Sequence, residues 1–67
     1  MAVKNRLKEI RHDRRMNQIQ FAEFLGVAQY QYNRYELQRQ QRTYDMALRI
    51  AENLNMPVEQ IFYLDRQ

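Results

Sequence analysis

Residues 18–37 read Gln18-Ile19-Gln20-Phe21-Ala22-Glu23-Phe24-Leu25-Gly26-Val27-Ala28-Gln29-Tyr30-Gln31-Tyr32-Asn33-Arg34-Tyr35-Glu36-Leu37. Two helices that cross after a three- or four-residue turn place several demands on a sequence. A small residue must stand where they approach, and Ala22 supplies it. The turn needs a residue at ease with positive φ, and Gly26, the only glycine in the chain, is there. Apolar side chains must face inward on both sides of the turn, and Phe21, Leu25, Val27, Tyr32 and Tyr35 have the spacing to do so. Each feature alone is commonplace. Their joint spacing predicts a helix, a tight turn and a second helix running from about Gln29 to Leu37.

On either side of this unit, apolar residues recur at helical steps. Leu7 and Ile10 sit three apart on a basic helix that should end near Arg15. Asn17 is a good N-cap for the helix that carries Phe21, Ala22 and Leu25. Thr43 can cap a fourth helix in which Ala47, Leu48, Ala51 and Leu54 form the buried stripe, with Tyr44 packed as its first residue or, as the second reading, free to donate to a phosphate. Asn55 suits a left-handed stop for that helix. Pro57 then opens a short fifth helix, with Ile61 and either Leu64 or Phe62 facing the core. The Gln/Arg-rich run 38–42 is the nearest thing to a loop. One Gly and one Pro leave little turn chemistry for a sheet protein, whereas Gln, Arg, Glu, Leu, Ala and Met suit helices. The expected fold is therefore all-α, five short helices in one domain over residues 1–67.

Size and composition narrow the function. A 67-residue chain buries only about 60% of the surface its unfolded form exposes. With no Cys and one His, neither disulfides nor a metal can staple it, so packing must suffice. The lack of Cys fits a reducing cytoplasm. No apolar run is long enough to span a membrane, and no signal peptide is visible. The chain has no Ser, one Thr and one His, so a nucleophile–base pair has almost nothing to be built from; an enzyme is not expected, and neither is a cofactor. Nor does this length leave room for a ligand-sensing domain.

The formal charge is +3, but its placement says more. Residues 1–15 carry six basic residues against Glu9 and Asp13, and residues 34–49 carry four Arg against Glu36 and Asp45. After Arg49 the balance turns acidic, with Glu52, Glu59 and Asp65 against Arg66. A basic front with a different far end is expected where one face meets polyanion, although charge alone is equally what a solvated, Arg-rich surface shows. Nine of the eleven basic residues are Arg, whose planar fork suits phosphate and guanine.

With these residues in view, the chain resembles the lambda-repressor-like family, the Cro/repressor and Xre type of bacterial and phage regulators. That family has a basic first helix, Thr-Gln opening the second, Ala-x-x-Leu-Gly-Val before the turn and Glu closing the third. Here the elements appear as Asn17-Gln18, Ala22 to Val27 and Glu36. The later signature, Ala-Leu-x-Ile-Ala-x-x-Leu and a short last helix, appears as Ala47 to Leu54 and Val58 to Phe62. The resemblance spans about Arg6 to Leu64. Several positions depart from it: Ala28 stands in place of a Ser or Thr cap, Leu37-Gln38 in place of the frequent Asn-Gly, Arg42 at a common Pro position and Tyr32 at a usual Ile or Val.

The resemblance implies a DNA-binding regulator, in the first instance a repressor, that reads the major groove with its third helix. Gln29, Tyr30, Asn33 and Arg34 form one stripe of that helix, opposite Tyr32 and Tyr35. In the family the matching positions read bases, and Gln and Asn suit adenine while Arg suits guanine. Such a stripe alone is what any exposed helix shows; the motif gives it meaning. Gln18 matches a phosphate clamp at the start of helix two, and Arg39 a phosphate contact after helix three, with Gln31, Gln40 and Arg42 as further candidates. Arg11 and Glu36 match an ion pair that bridges helix one to the end of helix three and presents Arg11 near the DNA backbone. His12 is expected to be an exposed helix residue, and Met16, Met46 and Met56 to pack. Phe24 stands where the family usually has a polar residue, so it either packs locally or marks a contact surface.

Family members usually bind pseudo-palindromic operators as homodimers. Here Ile61 can complete the core, leaving Phe62, Tyr63 and Leu64 for a dimer interface, small enough to be weak in solution. A second reading is an antitoxin-like interaction module that neutralises a toxin and regulates its own promoter, for which Phe24, the acidic C-terminal end and Phe62-Tyr63-Leu64 speak.

Overall fold

Where a helix can no longer continue decides most of this architecture. The computed structural model describes residues 2–38 and 44–66. In chain order these form strand β1 (Ala2–Asn5), helices α1 (Leu7–Asp13), α2 (Gln18–Leu25), α3 (Gln29–Glu36), α4 (Tyr44–Leu54) and α5 (Val58–Ile61), and strand β2 (Phe62–Asp65). Asn17 caps α2 with a reciprocal box: its side chain accepts from the Gln20 N–H at 2.7 Å, and the Gln20 side chain accepts from the Asn17 N–H at 3.0 Å. Gly26 ends α2 at φ 74°, and a Cβ there would meet nothing within 4 Å, so the glycine answers to backbone conformation rather than to crowding. Asn55 ends α4 at φ 56°, as its residue type predicts. Thr43 and the Gln40–Arg42 stretch lie outside the described residues, as does Arg39.

The core joins all five helices. Leu7 and Ile10 of α1, Phe21, Ala22 and Leu25 of α2, Tyr32 and Tyr35 of α3, Ile50, Ala51 and Leu54 of α4 and Ile61 of α5 are buried together. Met16, Val27, Met56, Val58 and Phe62 pack against them. The Phe21 ring meets Tyr32 edge-on at 5.5 Å and stacks on Phe24 at 6.2 Å, so α2 and α3 are joined through aromatics. Asn53 Nδ2 donates to the Leu25 carbonyl at 3.0 Å, closing α4 onto the turn.

The helical expectation stands, with one addition and several corrections. The chain ends pair as a two-stranded antiparallel sheet, with Val3 opposite Leu64 and Asn5 opposite Phe62. The fifth helix therefore stops at Ile61, and Phe62 and Leu64 belong to a strand rather than to a helix face. Val, Phe and Tyr favour extended backbone, and the pairing satisfies both ends at once. The first helix stops at Asp13, two residues short of Arg15, which takes a left-handed turn at φ 57°. Leu37 caps α3 instead of extending it. Leu48, expected in the α4 stripe, is exposed, and Ile50 takes the core position, because the buried set Ile50, Ala51 and Leu54 faces away from Leu48. Tyr44 does not pack either: it is 86% exposed. Among the described residues no helix is long and apolar enough to cross a membrane.

Candidate nucleic-acid interface

Helix α3 has two faces at the spacing that eight residues allow. Tyr32 and Tyr35 are fully buried and fix its inner side. Gln29, Tyr30 and Arg34 stand exposed on the other side, with Tyr30 at 67%. Asn33 and Gln31 are half-buried at the borders of that stripe, and the Asn33 Oδ1 is buried with no hydrogen-bond partner among the described residues. At about 1.5 Å per residue the helix is about 12 Å long, comparable to the width of a B-DNA major groove.

What holds the last turn of α3 is a polar cluster centred on Glu36. Arg11 Nε donates to Glu36 Oε2 at 2.6 Å and Arg11 Nη2 to Oε1 at 3.4 Å. Gln18 Nε2 donates to Oε1 at 3.0 Å, and the Tyr32 hydroxyl donates to Oε2. The carboxylate thus gathers donors from α1, α2 and α3. Arg11 is itself held by the Met16 carbonyl at 3.1 Å and touches His12 Nε2 at 3.2 Å, so its fork is largely spent inside the protein. The Arg11 and Glu36 side chains are only 12% and 5% exposed. A charge pair this dry orients its elements more surely than it adds net stability.

The cluster perturbs its own titration. Burial pushes the Glu36 carboxyl upward, but the bonds from Arg11, Tyr32 and Gln18, with the Arg11 charge, outweigh it and hold Glu36 below the ordinary carboxylate value. The Tyr32 phenol lies well above its ordinary value, first through burial and then through its bond to the Glu36 carboxylate. Arg11 is raised by its bond to Glu36 against the opposing effect of burial. Every proton here is held where the pairing wants it.

Gln18 is thus a partner of Glu36 as well as the first residue of α2. The cap uses the Gln20 N–H, and no bond within the described residues takes the N–H of Gln18 or Ile19, which lie at the positive end of the helix. Arg39 and Arg42 fall outside the described residues. The Arg14 guanidinium lies 5.6 Å from the Phe24 ring centre and donates to the Leu54 carbonyl at 3.3 Å, so Phe24, 41% exposed, packs locally between Phe21 and Arg14.

Phe62, Tyr63 and Leu64 lie on β2. Phe62 leans on the core, Tyr63 lies under the Arg6 guanidinium at 4.4 Å, and Leu64 is 49% exposed beside Val3. With Glu59 and Arg66 these residues line a depression of about 420 Å³. Sequence reasoning missed the Tyr32 hydroxyl and the Gln18 amide as Glu36 partners. The first was legible, because Tyr32 and Glu36 stand four apart on one helix; the second needs the crossing of α2 and α3. Among the described residues no group of three or more His, Cys, Asp or Glu gathers to hold a metal ion.

A family model described as Helix-turn-helix matches residues 7–61, from the first residue of α1 to the last of α5. No curated protein matches the chain.

Proposed function

The chain belongs to the helix-turn-helix family of Cro/repressor type, a family of DNA-binding regulatory domains, and from that premise we propose that it is a sequence-specific transcriptional repressor that reads its operator with α3. The observation that carries the reading is the pairing of two buried tyrosines with an exposed polar stripe on one short helix whose end is clamped by Glu36. Gln29, Tyr30 and Arg34 meet base edges, and Asn33 reads from the border of the stripe. Phosphates are held by the first turn of α2 at Gln18, by Gln31 and by Arg39 and Arg42. Arg11 serves mainly by orienting Glu36, since its donors already have partners. Acting on DNA, the protein works in the cytoplasm, without cofactor or small-molecule ligand.

One short helix reads too few base pairs to choose a genomic site, so the protein acts as a homodimer on a pseudo-palindrome with half-sites about one helical turn apart. The β2 end supports this. Its depression is apolar at Val3, Phe62 and Leu64 and carries both Glu59 and Arg66, so a two-fold copy meets opposite charges. For the antitoxin reading, Phe24 packs on one side against Phe21 and Arg14 and keeps 41% of its surface exposed, so only that outer part speaks for it.

Selection of bound sequences from random DNA, followed by titration with salt, tests the reading. Affinity should fall at a log–log slope of about −0.9 per phosphate contact. Arg34→Ala and Gln29→Ala should each cost about 1–3 kcal/mol on the selected duplex and relax its sequence preference, whereas Arg39→Ala should weaken all duplexes alike. A salt-independent affinity, or equal losses for all three variants on selected and random DNA, would refute it.

A further inference from the structure

Gln38 follows α3 in a left-handed conformation at φ 61°, one residue past the cap Leu37. Glycine is the residue that takes this position without strain. Glutamine does not, so its side chain has to be accounted for. Its Oε1 accepts from the Asn5 N–H at 2.9 Å and its Nε2 donates to the Asn5 carbonyl at 2.9 Å. The phase of the sheet explains why those groups are available. Arg6 N–H donates to the Ile61 carbonyl at 2.8 Å, so in the alternating antiparallel ladder the Asn5 backbone points away from β2. The Gln38 amide takes the place that a third strand would occupy.

Asn5 completes the joint. It is 4% exposed; its Nδ2 donates to the Tyr35 carbonyl at 2.8 Å and its Oδ1 accepts from the Leu7 N–H at 3.1 Å. Strand β1, the start of α1 and the last turn of α3 therefore meet in one polar knot. Glu36 clamps the same turn toward α1 and α2, from a separate set of donors.

We propose that Gln38 is a positioning residue for the DNA-reading helix: its amide latches the end of α3 to β1 and fixes the tilt at which Gln29, Tyr30 and Arg34 are presented. The proposal rests on the reading that α3 enters the groove. A glycine in place of Gln38 relieves the backbone and loses both bonds. An asparagine is one methylene too short to span them. A glutamate keeps the acceptor but sets a second oxygen against the Asn5 carbonyl, and on protonation it recovers the donor.

The experiment compares the wild type with Gln38→Gly, Gln38→Asn and Gln38→Glu. Amide hydrogen exchange is read at Asn5, corrected for the intrinsic rate, and binding is measured on a duplex recovered by selection and on a shuffled duplex of the same composition. In Gln38→Gly, losing two hydrogen bonds against a relieved backbone should leave the folded state populated, with Asn5 exchange faster by about tenfold. Binding to the selected duplex should weaken by a similar factor of about ten while the shuffled duplex is held as before. Gln38→Asn should behave likewise. Gln38→Glu, which keeps the acceptor but loses the donor, should fall between the wild type and Gln38→Gly near neutral pH and approach the wild type at the same pH as the solution is acidified. Unchanged Asn5 exchange in all three variants overturns the latch. Faster exchange with undiminished discrimination overturns the positioning role, as does an equal loss on both duplexes. If the wild type itself fails to discriminate, the reading of α3 fails and this proposal with it; a discriminating wild type with equally discriminating variants overturns the proposal alone.

Discussion

Glu36 shows how much one side chain can be asked to hold. It accepts from Arg11, Gln18 and Tyr32 and is almost wholly buried, so truncation leaves a buried cation without its counter-charge. Glu36→Ala should cost about 3–5 kcal/mol, a large share of the stability of so small a fold. The pair Arg11→Met with Glu36→Leu should cost much less, because it removes both charges and keeps volume. Urea unfolding of the three proteins checks this, and a double variant no better than Glu36→Ala would rule out the charge as the cause. The same residue sets an acid limb. Its folded pKa lies below its unfolded one, so its contribution is complete above the unfolded value of about 4.3 and is lost as pH falls through the folded value. Stability should decline over that window in the wild type and decline less in Glu36→Gln. Arg11 and Glu36 could be paired from the sequence only through the family resemblance, since 25 residues separate them and no periodicity links them.

Four helices end on a left-handed residue, and the chain has one glycine for the task. Gly26 serves α2; Arg15, Gln38 and Asn55 serve α1, α3 and α4 at φ 57°, 61° and 56°. Asparagine tolerates the conformation and Gln38 is compensated by Asn5, but Arg15 is exposed and offers no comparable side-chain bond among the described contacts. Arg15→Gly should therefore stabilise by about 1 kcal/mol, which for a domain of this size raises Tm by about 4–8 °C. A thermal melt with an unchanged or lower midpoint would contradict the argument. The stops were unevenly legible for the same reason. Gly26 and Asn55 announce themselves by residue type, whereas an Arg or Gln in that role looks like any surface residue. Helices α2 and α3 were readable because cap, small residue, glycine and inward apolar positions lie within about twenty residues. The sheet was not, because two four-residue strands at opposite ends of the chain share no turn and carry no periodicity long enough to separate from a helix. Leu48 was misplaced for a related reason: with Leu48 and Ile50 both apolar, α4 has two candidate faces, and only packing against α2 and α5 chooses Ile50.

At the scale of the whole molecule, β1 and β2 pair into one two-stranded sheet, and its free edge bears on where a second copy can sit. The ladder phase that turns Asn5 toward Gln38 also turns the Leu64 N–H and carbonyl outward, along an edge of β2 that no described residue covers. Leu64 pairs with Val3 across the strands, and the two are 49% and 42% exposed. Tyr63 differs: it too borders the depression, but its ring is covered by Arg6, with Lys4 and Asp65 paired at 3.2 Å. A homodimer formed at this end would thus be held by Leu64 and Val3, with Glu59 and Arg66 exchanging partners across the two-fold, while Tyr63 contributes mainly to its own subunit. The buried area would be small, below the range of stable dimers, so association in solution should be weak and strengthen on an operator carrying both half-sites. Leu64→Lys should abolish concentration-dependent sedimentation and cooperative binding to a palindrome, while binding to a single half-site stays as in the wild type. Tyr63→Lys should reduce thermal stability through loss of the Arg6 contact but leave cooperativity largely intact. A Leu64→Lys protein that still binds the palindrome cooperatively would remove β2 from the interface, and the exposed Leu48 and Tyr44 on α4 would then be the next surface to test.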